Sequence, residues 1–174
     1  MKRRLALVGL TSFVLGAASV YAAKVVFDPM AYYAGKSPAE AATALLARAE
    51  VLAGQGSWER IGVGRVYYLS GNKQKGQALF DGVLGGKVAK SDLYRIAEVY
   101  AVAGEWEKAK PMFDRAIAMD AQDHRGLIRA GCWYNLNGDR AHAEELFDKG
   151  FAQESAEVWH FALAAGSYSG VKPF

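Results

Sequence analysis

Three histidines, one cysteine and one acidic run ending in histidine are the residues of this chain whose chemistry could reach beyond packing. His124, His142 and His160 recur every eighteen residues, each in a different helix or turn. Imidazoles can relay protons or bind a metal, but no Asp, Glu or Cys accompanies them at metal-ligand spacing. Cys132 would be a nucleophile only beside an activating base, and the sequence indicates none. Next to Gly131 it reads as a small, partly buried packing residue. Asp120-x-x-Asp123-His124 falls in a turn between helices, where carboxylates cap. Gly62-Val63-Gly64 lies inside a helical segment and offers no phosphate-cradling loop. The residue set predicts no catalytic group, no metal and no cofactor.

The elements that carry these residues are helices. Helix formers dominate, and neither strand alternation nor a hairpin dipeptide is present. From Ser91 to Asp120 the chain reads Leu93-x-x-Ile96-Ala97-x-x-Tyr100, then Ala103-Gly104, then Ala109-x-x-x-Phe113-x-x-Ala116. That describes two short amphipathic helices joined by a tight turn, with small residues where they touch. The pattern recurs 33 residues earlier as Val63-Gly64-x-x-Tyr67, Ser70-Gly71 and Gly76-x-x-x-Phe80. It recurs 34 residues later as Ala130-Gly131-x-x-Tyr134, Asn137-Gly138 and Ala143-x-x-x-Phe147-x-x-Gly150. Ahead of these, Ser37-Pro38-x-Glu40 signals a helix start, and Ala42, Leu46 and Ala49 follow the spacing of a second helix. After them, Phe161-x-x-Ala164-Ala165-x-x-Tyr168 begins another first helix. Glycines at 76, 82, 85 and 86 loosen the earliest full copy, whose second helix is expected to end near Leu84.

A 34-residue helix–turn–helix period with these small and aromatic positions resembles the tetratricopeptide repeat. The resemblance implies an all-α fold, a right-handed α-solenoid with a C-terminal capping helix. It divides residues 37–170 into a half-repeat at 37–54, repeats at about 57–89, 90–123 and 124–157, and a capping helix at 158–169. Tyr67, Tyr100 and Tyr134 would fill the space between neighbouring units. The first helices of such an array line a groove that takes an extended peptide or a partner helix. Carried onto this chain, the partner-binding residues are Arg65, Tyr68, Tyr94, Arg95, Glu98, Arg125, Arg129 and Asn135, with Trp58, Ile61, Val102, Ile128 and Cys132 on the same face. Arg125 and Arg129 match by charge the third-repeat pair with which some co-chaperone members clamp a terminal carboxylate. Ile61, Arg65 and Arg95 depart from the other clamp positions. Four arginines among Tyr and Trp imply an acidic or C-terminal peptide segment as ligand. The competing expectation is that Glu98, Asp92 or Asp123 neutralises them.

The ends and the charge set the remaining expectations. Lys2, Arg3 and Arg4 carry the whole excess of 21 basic over 18 acidic residues, so the body is formally neutral. A nucleic-acid partner would need a basic body or stripe, and that class is excluded. Leu5 to Ala23 then runs nineteen residues without a charge, with Val20-Tyr21-Ala22 as a cleavage context. Residues 1–22 read as a secretory signal peptide or an uncleaved membrane anchor, with residues 5–23 as the tether, and 23–36 as a spacer. Either way the body is exported, to the periplasm if the cell is bacterial. With one cysteine, no intramolecular disulfide can form. The expected function is a non-enzymatic binding or scaffolding module of the cell envelope. The alternative is a self-associating structural subunit of an envelope, secretion or pilus assembly, joined through its weak first repeat or its aromatic C-terminal helix.

Overall fold

A computed structural model describes residues 28–152 and 157–173. The whole N-terminal apolar run lies outside the described residues, so neither signal nor anchor has a structural counterpart here. Among the described residues no helix is long and apolar enough to cross a membrane. Residues 28–36 of the expected spacer are among those described. Asp28 accepts a hydrogen bond from Met30 N and opens a 3-10 turn, Pro29–Tyr32, which rests on the first long helix.

That helix, α1 (Pro38–Ala53), starts where the sequence places it. The Ser37 hydroxyl accepts from Glu40 N while the Glu40 carboxylate accepts from Ser37 N at 2.9 Å, closing a capping box. Seven more helices follow among the described residues, with no strand: α2 (Ser57–Leu69), α3 (Lys73–Leu84), α4 (Lys90–Val102), α5 (Trp106–Met119), α6 (His124–Leu136), α7 (Arg140–Phe151) and α8 (Val158–Tyr168). The fold is all-α. The second helix of the loosest copy does stop at Leu84, with Gly85 as its cap.

Glycine decides how the helices meet. Gly71, Gly104 and Gly138 hold φ of 104°, 77° and 89° in the turns that follow α2, α4 and α6, a region open to residues without a Cβ. Each turn folds the next helix back antiparallel. A Cβ at Gly64 would lie 2.7 Å from Phe80, and one at Gly131 would lie 2.7 Å from Phe147. These glycines let α2 approach α3 and α6 approach α7, and α4 packs on α5 in the same manner around Ala97, Ala109 and Phe113, all fully buried.

Contacts between hairpins recur with the sequence period. Ser57 reaches Asp92 across 35 residues, Glu98 reaches Arg129 across 31, and Asn135 reaches Ser167 across 32. The first helices α2, α4, α6 and α8 therefore lie side by side in one direction. Four tyrosines fix the neighbours. Tyr67 donates to Glu50, Tyr100 to Gln77, Tyr134 to Asp114 and Tyr168 to Glu144, each on the second helix of the hairpin before. Three of these rings fill inter-unit space as expected from the sequence; the fourth extends the series. One large core runs from α2 to α8, and a small separate cluster of Ala53, Val63 and Tyr67 joins α1 to α2.

Candidate partner-binding groove

Residues three and four apart on a helix share a face. On α2 that face carries Trp58, Ile61, Gly62 and Arg65; on α4 it carries Arg95, Glu98, Val99 and Val102. Because α2 and α4 lie side by side, the two faces form the walls of one groove, closed by Trp133 of α6 and by Pro173 beyond α8. Its volume is about 410 Å³. The walls are apolar and aromatic, with charge at defined points.

Arg95 lies flat on the Trp58 ring, its guanidinium carbon 3.3 Å from the ring centre. Burial and the nearby Arg129 hold its pKa below the ordinary arginine value, with Asp92 and Glu98 offsetting part of the effect. No carboxylate forms an ion pair with Arg95 or with the exposed Arg65 among the described residues. Arg129 is different. Its Nη2 donates to Glu98 Oε2 at 2.6 Å and lies 2.5 Å from Oε1, while Glu98 Oε1 and the Arg129 Nε are buried without a hydrogen-bond partner. Burial raises the Glu98 pKa, and Arg129 counters only part of that rise. The Trp133 indole N–H stands beside the same carboxylate without an aligned acceptor. The groove floor is thus a tight but incompletely satisfied polar cluster, and beside it stand two arginines, Arg65 and Arg95, that form no ion pair among the described residues.

The sequence-derived site residues distribute over four places. Arg65, Arg95 and Glu98 line the groove, together with Trp58, Ile61 and Val102. Tyr94, Arg125 and Arg129 line an adjoining cavity of about 350 Å³ with Arg95, Lys90 and Asp123. There the Tyr94 hydroxyl is buried without a partner, and burial pushes its pKa up. Arg125 pairs with Glu157 at 2.9 Å on the surface, and Lys90 pairs with Asp120 and Asp123. Asn135 sits farther along, donating to the Ser167 hydroxyl. Tyr68 is not a groove residue. It is 2% exposed, packed between Phe80 and Tyr100, with its hydroxyl on Glu105. Ile128 and Cys132 are fully buried as well and leave the groove face. The reason is the width of the buried arc: α2 and α6 each touch both their own second helix and the neighbouring first helices.

Four groove residues escaped sequence reasoning: Gly62, Val99, Trp133 and Pro173. Val99 and Trp133 stand 34 residues apart at equivalent places, so the period itself was the signal that could have found them. Pro173 had no local signal.

Cys132 is fully buried and burial pushes its thiol up to about 11, so it stays protonated at neutral pH. His160 is buried, its Nδ1 accepts from Glu157 N at the start of α8, and its ring meets His124 edge-on at 5.6 Å. Asp123 caps α6 through Gly126 N. Among the described residues no group of three or more His, Cys, Asp or Glu side chains could hold a metal ion. Comparison with protein-family models, with curated proteins and with solved structures found no match to this chain.

Proposed function

We propose that this chain is a non-enzymatic binding module, a right-handed solenoid of tetratricopeptide-type units, that seats an extended peptide segment across α2, α4 and α6. The sequence period, the turn glycines and the parallel first helices support that architecture. The preferred ligand is an acidic or C-terminal segment. The observation that carries this reading is the pair Arg65 and Arg95, two groove cations without a carboxylate partner, set in a wall of Trp58, Ile61, Val99 and Val102. Guanidinium groups held beside apolar surface bind carboxylates with both direction and strength. Arg125 and Arg129 are already paired and act as framework rather than as ligand contacts. With the uncharged run at residues 5–23, the module belongs to the cell envelope, in the periplasm of a bacterial cell, free or tethered.

The test is an array of synthetic octapeptides, each acidic sequence paired with its neutral amide counterpart, probed with the wild-type chain and with Arg65→Glu/Arg95→Glu. Preference for the acidic member should be lost or reversed in the variant. Equal binding of both proteins to the acidic set removes the proposal.

A second reading, a self-associating structural subunit, draws on the exposed Val158, Trp159 and Phe161 of α8. Light scattering on the purified chain separates the two, since a strict monomer at working concentration speaks against self-association.

A further inference from the structure

The turn after α8 repeats the turns after α4 and α6. Gly170 holds φ of 76°, and Val171 N donates to Gly166 O at 2.8 Å, as Glu105 N does to Tyr100 O and Asp139 N to Tyr134 O. After the earlier turns the chain enters α5 and α7. After this one the described residues, 171–173, are not helical. Val171 packs over Gly166, the Lys172 ammonium reaches the carbonyl of Val102 at 3.5 Å, and Pro173 joins the groove lining opposite Trp58 and Trp133. The tail thus crosses from α8 to the end of α4 and into the same groove that Arg65 and Arg95 line.

The chemistry of each contact is suitable and weak. The turn's own N–H groups already serve Val99, Tyr100 and Ala101, so the lysine meets the one remaining last-turn carbonyl of α4, Val102 O, at the negative end of the helix dipole. A proline enters an aromatic wall with little conformational freedom to lose. Lys172 is exposed and Pro173 half-buried, and among the described residues no ion pair holds the segment beyond Val171. Such a strap can leave, yet its tether keeps it at high local concentration, in the millimolar range for a short link.

We propose that Val171–Pro173 is a resident, displaceable occupant of the groove, so that a partner segment binds only by exchanging with it. The inference rests on the groove being the binding surface, but its probe differs from the acidic peptides above, so the two can fail separately.

The probe is a fluorescein-labelled synthetic peptide of residues 169–174, followed by fluorescence anisotropy. It is titrated onto the wild-type chain, onto a chain ending at Gly170, and onto the full chain carrying Lys172→Gln with Pro173→Gly. The point variant keeps α8 and its glycine turn, so it reports even if truncation disturbs folding. Both altered chains should bind the peptide at least about tenfold more tightly than wild type. Trp58 and Trp133 should also become more solvated in both, with a red shift of tryptophan emission. Equal affinity in all three proteins overturns the proposal. So does absence of binding to a point variant whose helix content and Tm match wild type.

Discussion

Glu105 occupies the N-cap position of α5 and gathers three partners from three places. Tyr68 of α2 donates to it at 2.5 Å, Lys73 of α3 lies at 2.5 Å and Lys108 of α5 at 2.7 Å. Lys108, then Lys73, then Tyr68 pull its carboxyl from the ordinary 4.5 down to about 2. A carboxyl depressed in the folded state is protonated first in the unfolded chain as pH falls. The stability it contributes is therefore complete above about 4.5 and is lost between 4.5 and 2. Lys73 and Lys108 are 57% and 55% exposed, so water screens much of the attraction. Glu105→Gln should cost roughly 1–2 kcal/mol at pH 7, with the difference from wild type vanishing near pH 2. Urea denaturation across pH 2 to 7 measures this, and parallel curves for the two proteins would refute it.

Glycines distinguish, element by element, helix contacts from open helix faces. Gly76 on α3 sits where a Cβ would meet the Gly64 carbonyl at 2.7 Å and the Tyr68 backbone nitrogen at 2.8 Å, backbone atoms that cannot turn aside. Gly76→Ala should force α2 and α3 apart and cost about 1–3 kcal/mol. Gly62, one helix away, has nothing within 4 Å of its would-be Cβ and faces the groove. Gly62→Ala should instead gain about 0.5–1 kcal/mol of helix stability. Thermal melts of the pair decide it, and a loss at both positions would mean the glycines act through something other than this contact. Much of this layer was legible from sequence. Gly71, Gly104 and Gly138, Ala109 and Phe113, and the stop at Leu84 all follow from local rules of turn and helix chemistry. The faces were read less well. Tyr67 and Tyr68 are adjacent and both buried, one toward α1 and the other toward α3 and α4, because α2 is covered on two sides. A periodic pattern gives the direction of a side chain but not how wide an arc its neighbours cover. The His124–His160 contact and the seat of Pro173 join distant segments, and no local spacing encodes them.

At the scale of the molecule the core is uneven, and that unevenness predicts where the fold opens first. The large cluster extends without a break from Ile61 to Ala164 and includes the fully buried Phe80, Leu93, Phe113, Ile128 and Tyr134. α1 shares none of it. Its buried residue is Ala53, grouped with Val63 and Tyr67, and the half-buried Leu46 and Ala49 pack against that small cluster, while Val51 and Leu52 are 70% and 65% exposed. Polar ties at the partly exposed edge add to that contact, among them Lys75 to Glu50 at 2.6 Å and Tyr67 to Glu50 at 3.2 Å. The capping box steadies the start of the helix but gives it no tertiary hold, and a short isolated helix is marginal in water. Local opening costs follow buried apolar contact, so α1 should detach at a free energy well below that of global unfolding. The groove, bounded by α2, α4, α6 and the tail, would survive that opening intact. Native-state hydrogen exchange on the full chain tests this directly: amides of α1 should exchange at least about a hundredfold faster than those of α4 and α6. Equal protection in all three helices would mean that α1 is held by contacts beyond the small cluster, and that the chain opens as one cooperative unit.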